Sequence, residues 1–379
     1  MKIVLAPDSF KGSLGAPEVC DAMARGLRRA MPEVEIVSRP MADGGEGTLD
    51  AVLAAVGERG TRAHAELTGA AGDRVRAAYG VIDGTTAVIE VAQIVGITDA
   101  GGMRAHVEDR STRGIGELIA QLLDRGIRRF MIGLGGSSTN DAGAGLLAAL
   151  GLRLEDKTGD EVTPTPRGLS ALARVDAGGL DPRLAQCAIT ILSDVDNPLC
   201  GPRGATAVFG PQKGVRNEDI AVLDETLAHF AALAERMVGR EAATNAGAGA
   251  AGGLGFALLL VGGKLRAGAE VVADLIGLDA ALDGADWLIT GEGRTDRQTL
   301  AGKAPFVVAQ RARCAGVAPT LLSGAVDPAA LSELGRVFAG CFALPHGPMS
   351  LSECLEHAEA LLVDRTEQIA RLWAAARSE

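Results

Sequence analysis

Carboxylates, lysines and glycines concentrate in a few short stretches of this chain, and the mixture defines a chemistry. Three stretches follow apolar, strand-like runs: Asp8-Ser9-Phe10-Lys11-Gly12-Ser13, Ala42-Asp43-Gly44-Gly45-Glu46-Gly47-Thr48, and Thr290-Gly291-Glu292-Gly293-Arg294-Thr295-Asp296. Glycine lets backbone N–H groups approach an anion, whereas a carboxylate meets a phosphate only across a divalent cation. Together they point to a metal-bound phosphate ester. Each stretch alone also reads as a capped helix start, because Ser, Thr, Asp and Glu all serve there.

Two further loops share this character. Gly133-Leu134-Gly135-Gly136-Ser137-Ser138-Thr139-Asn140-Asp141 offers a compact set of donors for phosphate or polyol oxygens. Ser193-Asp194-Val195-Asp196-Asn197-Pro198 is denser in acid; its two aspartates point to opposite faces of an extended chain, so only a turn lets both reach one ligand. Lys11, Lys213 and Lys303 all lie in glycine-bearing loops. Two tempting patterns fail on context. Gly247–Gly252 (GAGAAG) matches GxGxxG but follows a helical stretch rather than a strand, and neither Gly263-Lys264 nor Gly302-Lys303 completes a P-loop.

The elements that must hold these loops follow two grammars. Lys2–Ala6 and Val34–Val37 read as buried strands, with amphipathic helices from Pro17 and around Leu49–Val56, the pattern of a parallel, helix-covered sheet. From about Thr61, short strands at Arg62–Thr68, Val75–Val81 and Thr86–Val91 are joined by Gly-Asp and Asp-Gly turns, which suits an antiparallel sheet. A helix at Ile115–Leu123, a strand at Phe130–Leu134, a helix from Ala142, a strand at Ala188–Leu192 and a helix around Ile220–Met237 follow. The first grammar returns near Asp283, with strands at Trp287–Thr290, Thr320–Ser323 and Val337–Leu344 and helices at Pro305–Ala315 and Leu351–Trp373. The expected architecture is therefore α/β in two domains. Residues 1–62 and 284–379 form a discontinuous domain with a five-stranded parallel sheet, and 63–283 form an inserted α/β domain with a mixed sheet. Ligands of such sheets bind at the carboxyl ends of the strands, where the acidic loops would converge.

Composition narrows the function. A chain of 379 residues that is 47% hydrophobic can bury sizeable cores, and 51 glycines against 3% aromatics imply close backbone approaches. A net charge of −11, with no basic stripe, lacks the footprint of a nucleic-acid binder. No apolar run suits a signal peptide or a membrane span, so the expectation is a cytoplasmic protein, monomeric or a small homo-oligomer. The six cysteines show no CxxC spacing and read as reduced core thiols; the five histidines form no HxxxH pair.

In order and wording, APDSFKGS (6–13), ADGGEGT (42–48), GLGGSSTND (133–141), SDVDNPLCG (193–201), FGPQKG (209–214), GAGAAGGLG (247–255) and TGEGRTDRQTLAGKAP (290–305) resemble the class I glycerate kinase family over nearly the whole chain. The resemblance implies ATP-dependent, Mg²⁺-assisted phosphorylation of D-glycerate, preferentially at the 2-hydroxyl. It also implies a flavodoxin-like domain with an inserted α/β domain.

On that basis Glu292, Asp296 and Asp196 are expected at the metal. Gly291, Gly293, Lys303, Gly44 and Gly45 are expected at the nucleotide, with Lys11 or Lys303 neutralising transition-state charge. Asp194 is the expected general base, ahead of Asp43 and Asp8. Ser137, Ser138, Asn140, Asp141 and Ser9 are expected at the substrate, with Arg294 on its carboxylate. Two other readings stand beside this one: a kinase for another small hydroxy acid or with a 3-phosphoglycerate product, and a non-catalytic sugar-acid or nucleotide sensor.

Overall fold

A computed structural model describes residues 1–377. The chain forms two compact units: Met1–Asp43, Gly47–Gly57 and Ala267–Glu379 in one, Gly44–Glu46 and Glu58–Arg266 in the other.

The first unit is built on a five-stranded, all-parallel sheet. Its spatial order is Gly340–Ala343, Ala318–Ser323, Trp287–Thr290, Lys2–Leu5, Glu35–Ser38. Counted along the chain this is order 2-1-3-4-5, the flavodoxin-like arrangement, whose direction of winding reverses between Lys2–Leu5 and Trp287–Thr290. Those two strands pair in register at Ile3↔Trp287, Val4↔Leu288 and Leu5↔Ile289, which brings segments about 284 residues apart side by side. Both strands are buried on both faces, as their continuous apolar runs require.

Helix Ala16–Ala30 starts where Pro17 and the Gly15/Glu18 capping interaction place it, and it buries Val19, Met23 and Leu27 on one stripe. That stripe lies near helix Ala358–Ala376, where Leu361, Leu362 and Ile369 share its apolar core. Trp287 closes the same core. Its ring stacks on Trp373 with centroids 4.9 Å apart, and its indole N–H donates to Thr320 Oγ1 at 2.9 Å.

The second unit carries a six-stranded mixed sheet in the order Lys264–Arg266, Ala188–Leu192, Arg129–Gly133, Thr86–Glu90, Arg74–Ile82, Gly60–Thr68. The first four strands run parallel and the last two are antiparallel additions. Helices Arg113–Asp124 and Ala250–Leu260 contribute to its large apolar core.

Several boundaries differ from the sequence expectation for physical reasons. Residues 267–283 pack with the first unit because Arg311 of helix Ala304–Cys314 donates to Glu270 at 2.6 Å, Asp274 at 2.7 Å and Asp279 at 3.2 Å. Residues 58–62 go with the second unit, since strand Gly60–Thr68 pairs with Arg74–Ile82 along its whole length. The C-terminal helix expected over 351–373 is two helices, Leu351–Glu356 and Ala358–Ala376, broken at His357 where no Gly or Pro marks the stop. Cys314 is exposed, so not every cysteine is a core thiol. Among the described residues no helix is long and apolar enough to cross a membrane.

Gly26 reports on the helix packing of the first unit. A Cβ there would lie 2.4 Å from the Val363 carbonyl oxygen and 2.8 Å from Thr366 Cβ. Replacing a mid-helix Gly by Ala ordinarily stabilises by about 1 kcal/mol. Gly26→Ala is expected instead to destabilise by about 1–3 kcal/mol in urea unfolding, the cost of overpacking a fixed contact. Unchanged or increased stability would mean that the two helices do not meet at this residue.

Candidate active site

Sheet topology selects one crevice in the first unit. The strands that flank the winding reversal end at Leu5 and Thr290, and the loops that follow interlock through backbone bonds. Ala6 N–H donates to Ile289 O, Asp8 N–H to Gly291 O, and Thr290 Oγ1 to Ala6 O. The next strand joins them, with Gly324 N–H donating to Glu292 O and Ala325 N–H to Gly293 O, both at 3.0 Å. Glycine is required at 291, where a Cβ would sit 1.7 Å from Leu322 O, so Gly291 is there for the crossing of two strand ends. Gly293 has a looser fit, against the Phe10-Lys11 backbone.

Around this crossing lies a cavity of about 770 Å³, within the usual range for small-molecule sites. Asp8, Ser9, Lys11, Asp43, Glu292, Arg294 and Lys303 line its polar side. The structure thus brings together seven residues singled out from sequence, all within the first unit.

Electrostatics at this crevice are unusual. Asp8 is buried, its Oδ1 accepting from Ser9 N–H at 2.6 Å. Burial, then the neighbouring charge of Asp43 and to a lesser degree that of Glu292, push its carboxyl up to about 8, against smaller opposing effects of the Ser9 N–H and Lys11. Glu292 is also buried and raised by desolvation, although Thr299 Oγ1 (2.5 Å) and Thr295 Oγ1 (3.1 Å) donate to its Oε1 and Lys303 Nζ stands 3.9 Å from Oε2. Desolvation thus disfavours charge on Asp8 and Glu292, and the half-buried Asp43 adds its own charge beside Asp8, an arrangement suited to a cation or a retained proton.

Asp296, expected at the metal, has a different task. Its Oδ1 caps the short helix Arg297–Ala301 by accepting from Gln298 N–H at 2.8 Å, and Thr299 completes the capping box. Asp196 is exposed in the second unit and faces Arg203 at 3.3 Å. The expected trio Glu292, Asp296 and Asp196 is not assembled, and among the described residues no three acidic, His or Cys side chains are placed around one ion.

The second unit has its own strand-end loops. Asp194 is exposed just beyond strand Ala188–Leu192 and engages in interactions of its own. Gly44 and Gly45, expected at the nucleotide, are buried where backbones cross. A Cβ on Gly44 would lie 2.8 Å from Leu192 O, and one on Gly135 would lie 2.4 Å from Gly45 Cα.

The loop 133–141 is held from inside. Asp141 is fully buried and accepts from Thr112 N–H and Oγ1, Gly143 N–H and Gly145 N–H, at 2.8–3.2 Å. Burial raises its carboxyl above the usual range despite these donors. Ser138 Oγ donates to Val95 O, and Asn140 Nδ2 to Thr206 Oγ1; neither residue has exposed surface. Ser138, Asn140 and Asp141, expected at the substrate, are thus turned into the protein rather than toward open space. Ser137, 5% exposed, accepts from Lys213 Nζ at 3.1 Å.

Two basic residues do work that sequence reasoning did not assign. Arg110 Nη1 donates to Ser138 O and Lys213 O, each at 3.0 Å, and Lys213 Nζ donates to Thr139 O at 2.8 Å. Burial lowers the Lys213 ammonium to about 7. Their targets are carbonyls up to 103 residues away, which no spacing rule reveals. The GAGAAGGLG motif is a seat for this loop, because a Cβ on Gly252 would lie 2.0 Å from Thr139 O and one on Gly253 2.5 Å from Ala142 Cα. Ala142 itself is held at φ 52, a left-handed conformation that glycine adopts with less strain.

The raised Asp8 value carries a stability signature. A carboxyl protonated to about pH 8 when folded but only to 3.8 when unfolded contributes stability fully present below pH 3.8 and lost as pH rises toward about 8. Asp8→Asn lacks this loss. Its melting temperature is expected to exceed that of the natural chain by an amount that widens from about pH 5 to about pH 8, at roughly 2–4 °C per kcal/mol. A gap that stays constant across this range would show that Asp8 is not a suppressed acid.

Known proteins resemble this chain over almost its full length. The model of the glycerate kinase family matches residues 3–374. Glycerate kinase of Bacillus subtilis (strain 168) is 42% identical over 368 residues, 97% of this chain and 96% of that protein. Glycerate 2-kinase of Escherichia coli (strain K12) is 43% identical over 315 residues, covering 83% and 82% respectively. A crystal structure described as glycerate kinase 2 from Salmonella typhimurium LT2 superposes with a TM-score of 0.88 at 40% identity, covering all of both chains. An acidic, lysine-bearing cavity at the winding reversal of a flavodoxin-like sheet, within a match that spans almost every residue, places this chain in the glycerate kinase family of enzymes.

Proposed function

We propose that this enzyme transfers the γ-phosphoryl group of ATP to the 2-hydroxyl of D-glycerate with Mg²⁺, and that the first unit's cavity is its MgATP site. The observation that carries this reading is the buried pair Asp8 and Glu292 with half-buried Asp43, beside Lys11 and Lys303 at the mouth of the winding reversal. Mg²⁺ is typically held by one or two carboxylates plus phosphate oxygens, so an incomplete protein shell suits it. Asp43 and Glu292 fit as its holders. When bound, it would offset the negative charge of the phosphates.

Phosphoryl transfer asks the protein mainly for positioning and charge neutralisation. Glu292 is oriented by Thr295 and Thr299, and so presents Oε2 in a fixed direction. Lys11 and Lys303, on loops from two different strands, supply positive charge for the transferred group. Arg294, exposed at the cavity wall, and Ser9 are placed to meet the carboxylate and hydroxyl of a small hydroxy acid.

For the base, Asp8 is favoured over Asp194. A carboxylate whose pKa lies at about 8 is matched to receiving a proton near neutrality, as a general base must be. The hydroxyl proton would pass to its Oδ atom as the glycerate oxygen bonds to phosphorus and the ADP oxygen leaves.

The test is turnover with D-glycerate, ATP and Mg²⁺, with the product identified by phosphorus NMR. The expected product is 2-phosphoglycerate. Asp8→Asn is expected to lower kcat by about 10²-fold or more with little change in the KM for ATP, and kcat/KM of the natural enzyme to rise with pH toward about 8. A comparable loss in Asp194→Asn with full activity in Asp8→Asn would move the base to the second unit. A 3-phosphoglycerate product would overturn the regiochemistry.

A further inference from the structure

The lining of the first unit's cavity also includes an apolar set that neither glycerate nor a phosphate requires. Phe10, Leu344, Met349, Leu351 and Leu355 make up this set, together with the thiol-bearing Cys354. Phe10 and Leu344 are buried. Leu351 and Leu355 are not, at 75% and 38% exposed, which places them among the few large apolar side chains left in water. They stand four residues apart on helix Leu351–Glu356, hence on one face. That helix is fixed by its own capping box, in which Ser350 N–H donates to Glu353 Oε2 at 2.8 Å and Glu353 N–H to Ser350 Oγ at 3.3 Å. Its first turn is thus closed by Ser350 and Glu353 rather than by either leucine.

The first strand-end loop links the polar and apolar lining. A Cβ on Gly12 would touch Leu355 Cδ2 at 3.8 Å, while one on Gly293 would lie 3.3 Å from Lys11 N. The phosphate-facing loop and the apolar helix are thus separated by the width of residues 10–12. Of the two substrates, only the nucleoside of ATP has a flat apolar surface, and a cavity of about 770 Å³ is far larger than a three-carbon acid needs.

We infer that helix Leu351–Glu356 and Phe10 form the nucleobase subsite, with the adenine ring packed on Leu351 and Leu355 and the triphosphate directed toward Lys11 and Lys303. The inference rests on the reading of this cavity as the MgATP site.

The experiment compares the double variant Leu351→Ser/Leu355→Ser with Lys303→Ala and the natural enzyme by isothermal titration with MgATP and with inorganic tripolyphosphate. The double variant is expected to bind MgATP about tenfold or more weakly, with tripolyphosphate affinity, KM for D-glycerate and melting temperature unchanged. In parallel, alkylation of Cys354 by iodoacetamide, followed by peptide mass spectrometry, is expected to be slowed by adenosine and by ATP but not by tripolyphosphate. Undiminished MgATP affinity in the double variant, with a loss in Lys303→Ala, would place the base elsewhere and overturn the inference while leaving the phosphate site intact. Undiminished affinity in both variants would overturn the cavity assignment and the inference with it. Equal protection of Cys354 by tripolyphosphate would also overturn the subsite.

Discussion

Three carboxylates held together under partial burial, Asp8, Asp43 and Glu292, are the constraint to which the first unit is built. Water would keep such charges apart, and burial raises the cost of keeping Asp8 and Glu292 ionised. Their meeting depends on strand Lys2–Leu5 pairing in register with Trp287–Thr290, so that loops from opposite ends of the chain emerge side by side. It also depends on Gly291 and Gly324, whose missing Cβ atoms let three strand-end loops cross within bonding distance. Thr295 and Thr299 then fix Glu292 without neutralising it. The repulsion is partly relieved by the proton that Asp8 retains, and the same repulsion suits the site to a divalent cation.

Loops of similar composition have the opposite character in the second unit. There two cations are turned inward, Arg110 and Lys213, and their partners include the carbonyls and hydroxyl of residues 137–139. Asp141 satisfies four donors, and Thr112 Oγ1 links it to the first turn of helix Ala144–Ala149 by accepting from Leu146 N–H. Serine, threonine, asparagine and glycine at a strand end can serve a ligand or the fold. What separates the two cases is the cavity: most of this loop's side chains face the protein, whereas Asp8, Lys11 and Glu292 line the first unit's cavity.

The fold was legible where periodicity is strong. Strands Ala188–Leu192 and Trp287–Thr290 fall where their apolar runs place them, and the parallel order of the first sheet follows from strands alternating with helices. Helices Gly268–Leu275 and Leu278–Leu282 were not legible as part of the first unit, because their attachment is a long-range arginine network through Arg311. At the candidate site, the density of acid and glycine marked the loops that line the first unit's cavity but not the contacts each side chain makes there. Asp296 is a helix cap, the alternative that its position before an Arg-Gln-Thr turn always allowed. Asp8 gained its importance from burial and from a neighbour 35 residues away, neither of which one-dimensional spacing contains.

The central claim is that MgATP enters the Asp8, Asp43 and Glu292 cluster and displaces a proton held there. The direct measurement is calorimetric titration of the enzyme with MgATP near neutral pH, in buffers of different ionisation enthalpy, which counts protons released on binding. The account predicts release approaching about one proton per nucleotide from the natural enzyme and none from Asp8→Asn. Binding without proton release, or equal release from both proteins, would contradict it.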